Sequence, residues 1–205
     1  MSGKGYFSPQ RIAGIAVLLA LVIALQGWMG TISFGVVQLN FTLIPIVLGA
    51  LLYGPIAGGI LGLACGVVVM VQVMMGLSPF YTIIWTNTPV VAALTCVVKT
   101  TVAGLVSGWL YRWLRRKNAL VGVVVASAAT PIINTALFIV GCLLMNESIV
   151  AFQGGLPDFA GMNIFVFILV GLVTTNFFVE LAVNLIFAPT LHRIIVLVGK
   201  TMKRL

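Results

Sequence analysis

Apolar residues in this chain run in long blocks, and short polar stretches separate them. Blocks of this length and density predict helices that cross a lipid bilayer rather than amphipathic helices on a soluble core. The pattern predicts an all-α membrane protein with six transmembrane helices, at about residues 12–28, 41–53, 56–75, 89–113, 120–145 and 162–191. All six are expected to form one integral membrane domain over residues 1–205. The stretch from Asn40 to Gln72 holds no charged side chain, and Tyr53-Gly54-Pro55 divides it into two helices folded back on each other. Proline lacks an amide donor and restricts the residue before it, while glycine accepts turn conformations that other residues resist. Gly54, Gly58, Gly62 and Gly66 then recur at four-residue spacing, a bare stripe against which another helix backbone can pack closely.

The connections carry their own signals. Gly30 to Gln38 mixes glycine, hydroxyl and β-branched residues and reads as a lid or short hairpin. Gly76–Asn87 and Asn146–Gly161 read as outer loops. Phe80, Tyr81 and Trp85 in the first of these suit either an interfacial belt or a ligand pocket. Pro45 falls in the first turn of the second helix or kinks it, and Pro131 sits in the middle of the fifth. Ala16, Ala20 and Ala24 lie on one face of the first helix, as good helix formers or as a site of close helix contact.

Composition agrees with the pattern: 61% hydrophobic and 7% charged residues, with a mean hydropathy of +1.23. A net charge of +8 also suits nucleic-acid binding, so the placement of the charges has to decide. Lys4 and Arg11 precede the first apolar block. Arg112, Arg115, Arg116 and Lys117 sit at mid-chain, and Arg193, Lys200, Lys203 and Arg204 close it. Basic clusters after every second span follow the positive-inside pattern and put both termini in the cytoplasm. Nucleic acid is therefore not an expected partner. Cys65, Cys96 and Cys142 lie inside apolar runs without a C-x-x-C pair, which implies buried packing residues and no disulfide or metal site. The basic start and apolar core at the N-terminus resemble a signal peptide, but no small-x-small cleavage site follows, so a retained first helix is expected.

The chemical inventory is thin. No H-E-x-x-H, G-x-S-x-G or phosphate-binding glycine loop ending in lysine occurs, and the only histidine, His192, stands at a predicted membrane exit beside Arg193. No catalytic residue and no cofactor is implied, and the chain is not expected to hydrolyse ATP. Two charges remain inside the membrane, Lys99 and Glu180. Lys99 lies about 15 Å along the fourth helix, and Glu180 about 14 Å before Pro189 in the sixth. These depths predict an ion pair or short polar network between the two helices, serving structure, ligand binding or conformational coupling. A second set, Gln38, Asn40, Gln72, Trp85, Asn87, Asn134 and Asn163, clusters toward the outer half. Amides offer donors and acceptors without the desolvation cost of a full charge, so this set is expected to line a site for a polar ligand.

Four stretches together resemble a known family. They are RIAGIAVLLALVIALQ, LNFTLIPIVLGALLYGPIAGGILGLACGVV, VVKTTVAGLVSGWLYRWLRRK and TNFFVELAVNLIFAPTLHRII. The chain resembles the substrate-binding S components of energy-coupling factor (ECF) vitamin transporters of bacteria and archaea. That resemblance implies a multi-pass protein of a prokaryotic cell membrane with six helices. It also implies a water-soluble vitamin bound from outside and docking on a module of a membrane coupling subunit and two ATPase subunits. The S component is thought to topple in the bilayer to release its ligand. The family's alanine pair that packs on the coupling subunit matches Ala16 and Ala20. The vitamin expected first is pantothenate, whose carboxylate suits Lys99, followed by riboflavin. The competing reading is a stand-alone ion-coupled secondary transporter of a small polar molecule, with Lys99 and Glu180 on the ion path.

Overall fold

The computed structural model describes residues 9–29, 33–34, 37–38 and 41–204. Helix α1 covers Pro9–Met29, and the short strands β1 (Ser33–Phe34) and β2 (Val37–Gln38) pair antiparallel, Ser33 opposite Gln38 and Phe34 opposite Val37. Helices α2 (Leu43–Tyr53), α3 (Pro55–Met74), α4 (Pro79–Asn87), α5 (Pro89–Leu114), α6 (Ala119–Leu144) and α7 (Asn146–Gly154) follow. After a 3-10 turn at Pro157–Phe159, the chain forms α8 (Ile164–Phe167), a π turn (Ile168–Val173) and α9 (Thr174–Arg204). Proline opens α3, α4 and α5, where its missing amide costs no helical hydrogen bond. Side chains close other starts: Ser78 Oγ accepts from the Tyr81 amide at 3.2 Å and Asn118 Oδ1 from the Leu120 amide at 2.9 Å.

Among the described residues, five helices are long and apolar enough to cross a membrane: Pro9–Trp28, Pro55–Met74, Pro89–Leu114, Ala119–Leu144 and Ile164–Gly199. The second predicted span differs. Its helix, α2, has 11 residues, about 16 Å of rise against a hydrocarbon core of roughly 30 Å. It forms the centre of the bundle instead, with Leu43, Ile46, Val47 and Ala50 almost fully buried and α1, α3, α5, α6 and α9 packed around it. Two other expectations need correction. The segments read as outer loops contain helices α4 and α7. The last helix does not stop at Leu191 but runs through Pro189 to Arg204, since inside a membrane bundle a proline can be held in a helix by the bonds on either side.

The glycine stripe determines how α3 meets α5. A Cβ on Gly58 would strike the Gly104 carbonyl, one on Gly62 the Thr100 carbonyl, and one on Gly66 the Cys96 carbonyl at 2.7 Å. Across the seam, a Cβ on Gly108 would lie 2.7 Å from Pro55 Cα. The two backbones are therefore in direct contact, and this close approach supplies the dispersion contacts that hold helices together where lipid is as apolar as leucine. Most large apolar side chains left exposed, such as Val17, Ile60, Leu94 and Ile186, lie on the outward faces of the long helices.

Candidate functional site

Toward one end of the bundle, α1, α3, α4, α5, α6, the π turn and α9 enclose a cavity with about 890 Å3 of open space, its mouth included. Its lining is part aromatic, with Phe80, Tyr81 and Phe138, and part polar, with Lys99, Asn134, Asn176 and Glu180. Of the two short helices, α4 lines it through Phe80, Tyr81 and Ile84, and α7 packs against α4. Phe80 of α4 packs edge-on against Phe152 of α7 at 5.1 Å between ring centres, and Phe159 packs against Phe167 at 5.2 Å. The Gln153 amide donates to the carbonyls of Phe159 (2.9 Å) and Met162 (2.8 Å), while the hydroxyls of Thr88 and Ser148 meet at 2.7 Å. These bonds tie α7 and the segment after it to the top of α5. Burial pushes the Tyr81 phenol above its ordinary value, so it stays neutral against the cavity.

The polar wall is built by helix geometry. Asn176 and Glu180 are four residues apart on one face of α9, and the Asn176 amide donates to Glu180 Oε1 at 3.1 Å. The π turn just before them is accompanied by the Thr174 hydroxyl, which donates to the Leu169 carbonyl at 2.7 Å. Such a turn rotates the following residues relative to a regular helix, and π turns recur at functional sites. Glu180 is only 3% exposed, yet its Oε2 has no hydrogen-bond partner, and neither do the buried Oδ1 atoms of Asn134 and Asn176. The Lys99 ammonium lies 4.9 Å from the centre of the Phe138 ring. Lys99 and Glu180 thus face the same space with no hydrogen bond from lysine to the open carboxylate oxygen. Buried polar atoms left open are costly unless something else pairs with them. The arrangement can hold a molecule that offers hydroxyl or amide donors to the three oxygens, an anionic group to Lys99, and an apolar part to the aromatic wall.

The predicted site residues divide. Asn134, Lys99 and Glu180 line the cavity. Gln72 is buried beside it in a network of its own: Gln26 Nε2 donates to Gln72 Oε1 at 3.1 Å, Gln72 Nε2 donates to the Gln26 carbonyl at 2.9 Å, and the Thr42 hydroxyl donates to Gln26 Oε1 at 3.1 Å. Trp85 packs against the core on α4, Asn87 is exposed, and Asn163 is exposed and caps α8 through the Phe165 amide at 2.9 Å. These three do not line the cavity. Asn40 lies outside the described residues, and Gln38 is described only as strand backbone. Ala16 and Ala20 are exposed on the outer face of α1. Gln26, Ser78, Thr95 and Thr135 line the cavity without having been singled out. Gln26 carried a usable signal, a lone amide closing an otherwise apolar helix. The others are hydroxyls indistinguishable in sequence from those that bond their own helix. Among the described residues, no group of three or more His, Cys, Asp or Glu is placed to hold a metal ion.

Long apolar helices packed around a cavity at one end define a multi-pass membrane protein. A family model for the ECF transporter substrate-specific component matches residues 10–192, nearly the whole chain, and the protein belongs to that family. Its members are non-catalytic, substrate-binding subunits of membrane transporters, and they work with a module of coupling and ATPase subunits. A comparison with curated proteins finds no match.

Proposed function

We propose that this S component binds a pantothenate-like vitamin in the cavity beneath α4 and α7 and releases it inside a prokaryotic cell after docking on its coupling module through Ala16 and Ala20. The observation that carries this reading is the set of three open buried oxygens, on Asn134, Asn176 and Glu180, facing one cavity with Lys99. Pantothenate has a carboxylate for Lys99, hydroxyl and amide donors for the oxygens, and an aliphatic body for the wall of Phe80 and Phe138. Riboflavin, with donors but no carboxylate, would leave the ammonium unmatched. The basic clusters at both chain ends and after α5 support termini on the cytoplasmic side, with the cavity facing out. The whole chain then acts as one six-helix membrane domain, α2 being its short central member.

Two small side chains on the outer face of α1 suit close approach by a partner helix, because they keep its surface flat. Replacing either with tryptophan is expected to abolish assembly with the coupling module while leaving ligand binding intact; normal assembly by both variants would remove the interface from the proposal. The substrate is tested by native mass spectrometry of the chain purified in detergent from cells grown with a vitamin panel. A retained mass equal to pantothenate supports the reading. Retention of a different single vitamin replaces the substrate, and an empty protein that ignores the panel refutes the cavity assignment.

A further inference from the structure

The cavity offers an incoming molecule few hydrogen-bond donors. Among the described residues, Lys99 is the only cationic side chain that lines it. Gln26 lines it too, but its amide already donates to Gln72 Oε1 at 3.1 Å. The hydroxyls of Ser78, Thr95 and Thr135 can donate or accept. The acceptors, in contrast, are fixed by chemistry. A carboxylate only accepts, so the group of Asn176 that lies 3.1 Å from Glu180 Oε1 is its Nδ2, and Asn176 Oδ1 is left as an open acceptor. Glu180 Oε2 is open as well, on a residue only 3% exposed, and Asn134 Oδ1 is the third. Asn184, one turn further along α9, brings no donor to them, because its Nδ2 is spent on the Glu180 carbonyl at 2.9 Å.

A hydroxyl and an ionised phosphate meet such a set differently. The hydroxyl donates its proton to an open oxygen and satisfies it. A doubly ionised phosphate has no proton to give and sets its own charge against the Glu180 carboxylate. One ammonium neutralises one anionic group, so a molecule with two such groups leaves the second among acceptors. Buried charges are screened far less than surface charges, and the repulsion there is correspondingly strong.

We propose that Glu180 and Asn176 are specificity residues that close this cavity to a second anionic group, so that it takes pantothenate and rejects the phosphate ester of pantothenate's primary hydroxyl. The selectivity rests on the pantothenate-like ligand proposed above and adds the class of molecule that the cavity excludes. Lys99 takes the carboxylate, and the open oxygens of Asn176 and Glu180 accept from the hydroxyls.

The test is calorimetric titration of the detergent-purified full chain with pantothenate and with its phosphate and acetate esters on the same hydroxyl. The acetate ester adds bulk and removes the donor without adding charge. Wild type should bind pantothenate about a hundredfold more tightly than the phosphate ester, and the acetate ester about tenfold more tightly than the phosphate ester. Glu180→Gln keeps the shape of the side chain but offers an N–H donor, so the gap between pantothenate and the phosphate ester should shrink to about tenfold or less. The two esters on wild type decide the matter even where that variant fails to fold. Comparable binding of pantothenate and its phosphate ester, or equal rejection of the two esters, would overturn the selectivity while keeping pantothenate as the ligand. So would an undiminished gap in folded Glu180→Gln, which would assign the rejection to size. If pantothenate itself does not bind, that vitamin falls, and the molecule retained in native mass spectrometry decides. More than one anionic group on it overturns the selectivity, and one or none upholds it. A chain that retains nothing refutes both.

Discussion

Replacing Gly62 with alanine tests the α3–α5 seam at its tightest point. The new methyl group would strike the Thr100 carbonyl, with Thr100 C at 2.7 Å and Thr101 Cα at 3.0 Å. All are backbone atoms, so no side chain can rotate away, and the two helices must separate by a sizeable fraction of an ångström along the seam. Overpacking of this kind costs about 1–3 kcal/mol, and the rigid obstacle puts Gly62→Ala near the top. Alanine returns about 1 kcal/mol of helix propensity, which leaves a net loss of about 2 kcal/mol. For a chain of this size the melting temperature should fall by about 4–8 °C. Gly27→Ala is the control, because a Cβ there meets nothing within 4 Å, and its melting temperature should hold or rise. A thiol-reactive dye in detergent reads both variants through the native thiols, since Cys65, Cys96 and Cys142 are buried and outside any disulfide. Opening of the seam should also speed labelling of Cys96 below the melting temperature. If Gly62→Ala melts with the wild type, or Gly27→Ala falls as far, the direct backbone contact between α3 and α5 is wrong.

Glu180→Gln and Lys99→Met should each weaken retention of pantothenate by about tenfold or more, the value of one hydrogen bond to a charged group, while Asn87→Ala changes nothing; calorimetric titration would separate them. Gln72→Leu should cost about 1–3 kcal/mol in the thiol-dye assay, because it strands the buried Gln26 amide and carbonyl that Gln72 now pairs. Tyr81 gives a pH dependence with a definite sign. Burial raises its phenol above the ordinary value of 10.0, so folded and unfolded chains are both neutral there at lower pH. Above that value the unfolded chain loses the proton first, and stability falls as pH rises. Tyr81→Phe should flatten part of that fall, and tyrosinate absorbance at 295 nm should gain its last component only on unfolding. Ionisation of every tyrosine in the still-folded protein would contradict the burial.

Some of the site could be read before any coordinates. Lys99, Glu180 and Asn134 announce themselves because charges and amides inside apolar blocks are rare and costly. The rest could not, for identifiable reasons. Asn87 and Asn163 look like Asn134 in composition, but one is exposed and the other spends its side chain on a helix cap. Gln72 is as polar and as deep as a ligand contact, yet both ends of its amide are bonded to Gln26. What separates these residues is whether a bonding partner lies within reach, and that depends on neighbours distant in the chain. Helices α4 and α7 were hidden because nine residues of mixed polarity carry too little periodicity to stand out from a loop.

The sequence by itself determined that the chain lives in a membrane, where its long helices begin and end to within a few residues except at the end of the last, and which face of α3 meets another backbone. Those properties depend on local composition and spacing: a run of apolar side chains is inserted for its own hydropathy, and a stripe of glycines is bare whatever it touches. Only the tertiary structure decided that α2 is a buried centre and that the short helices α4 and α7 pack on each other beside the first cavity. It also decided that Arg11 in the first turn of α1 and Arg112 near the end of α5 converge around Gly54. Each of these brings together residues far apart in the chain, and the free energy that selects them comes from packing and from the pairing of buried polar groups, which no single segment carries.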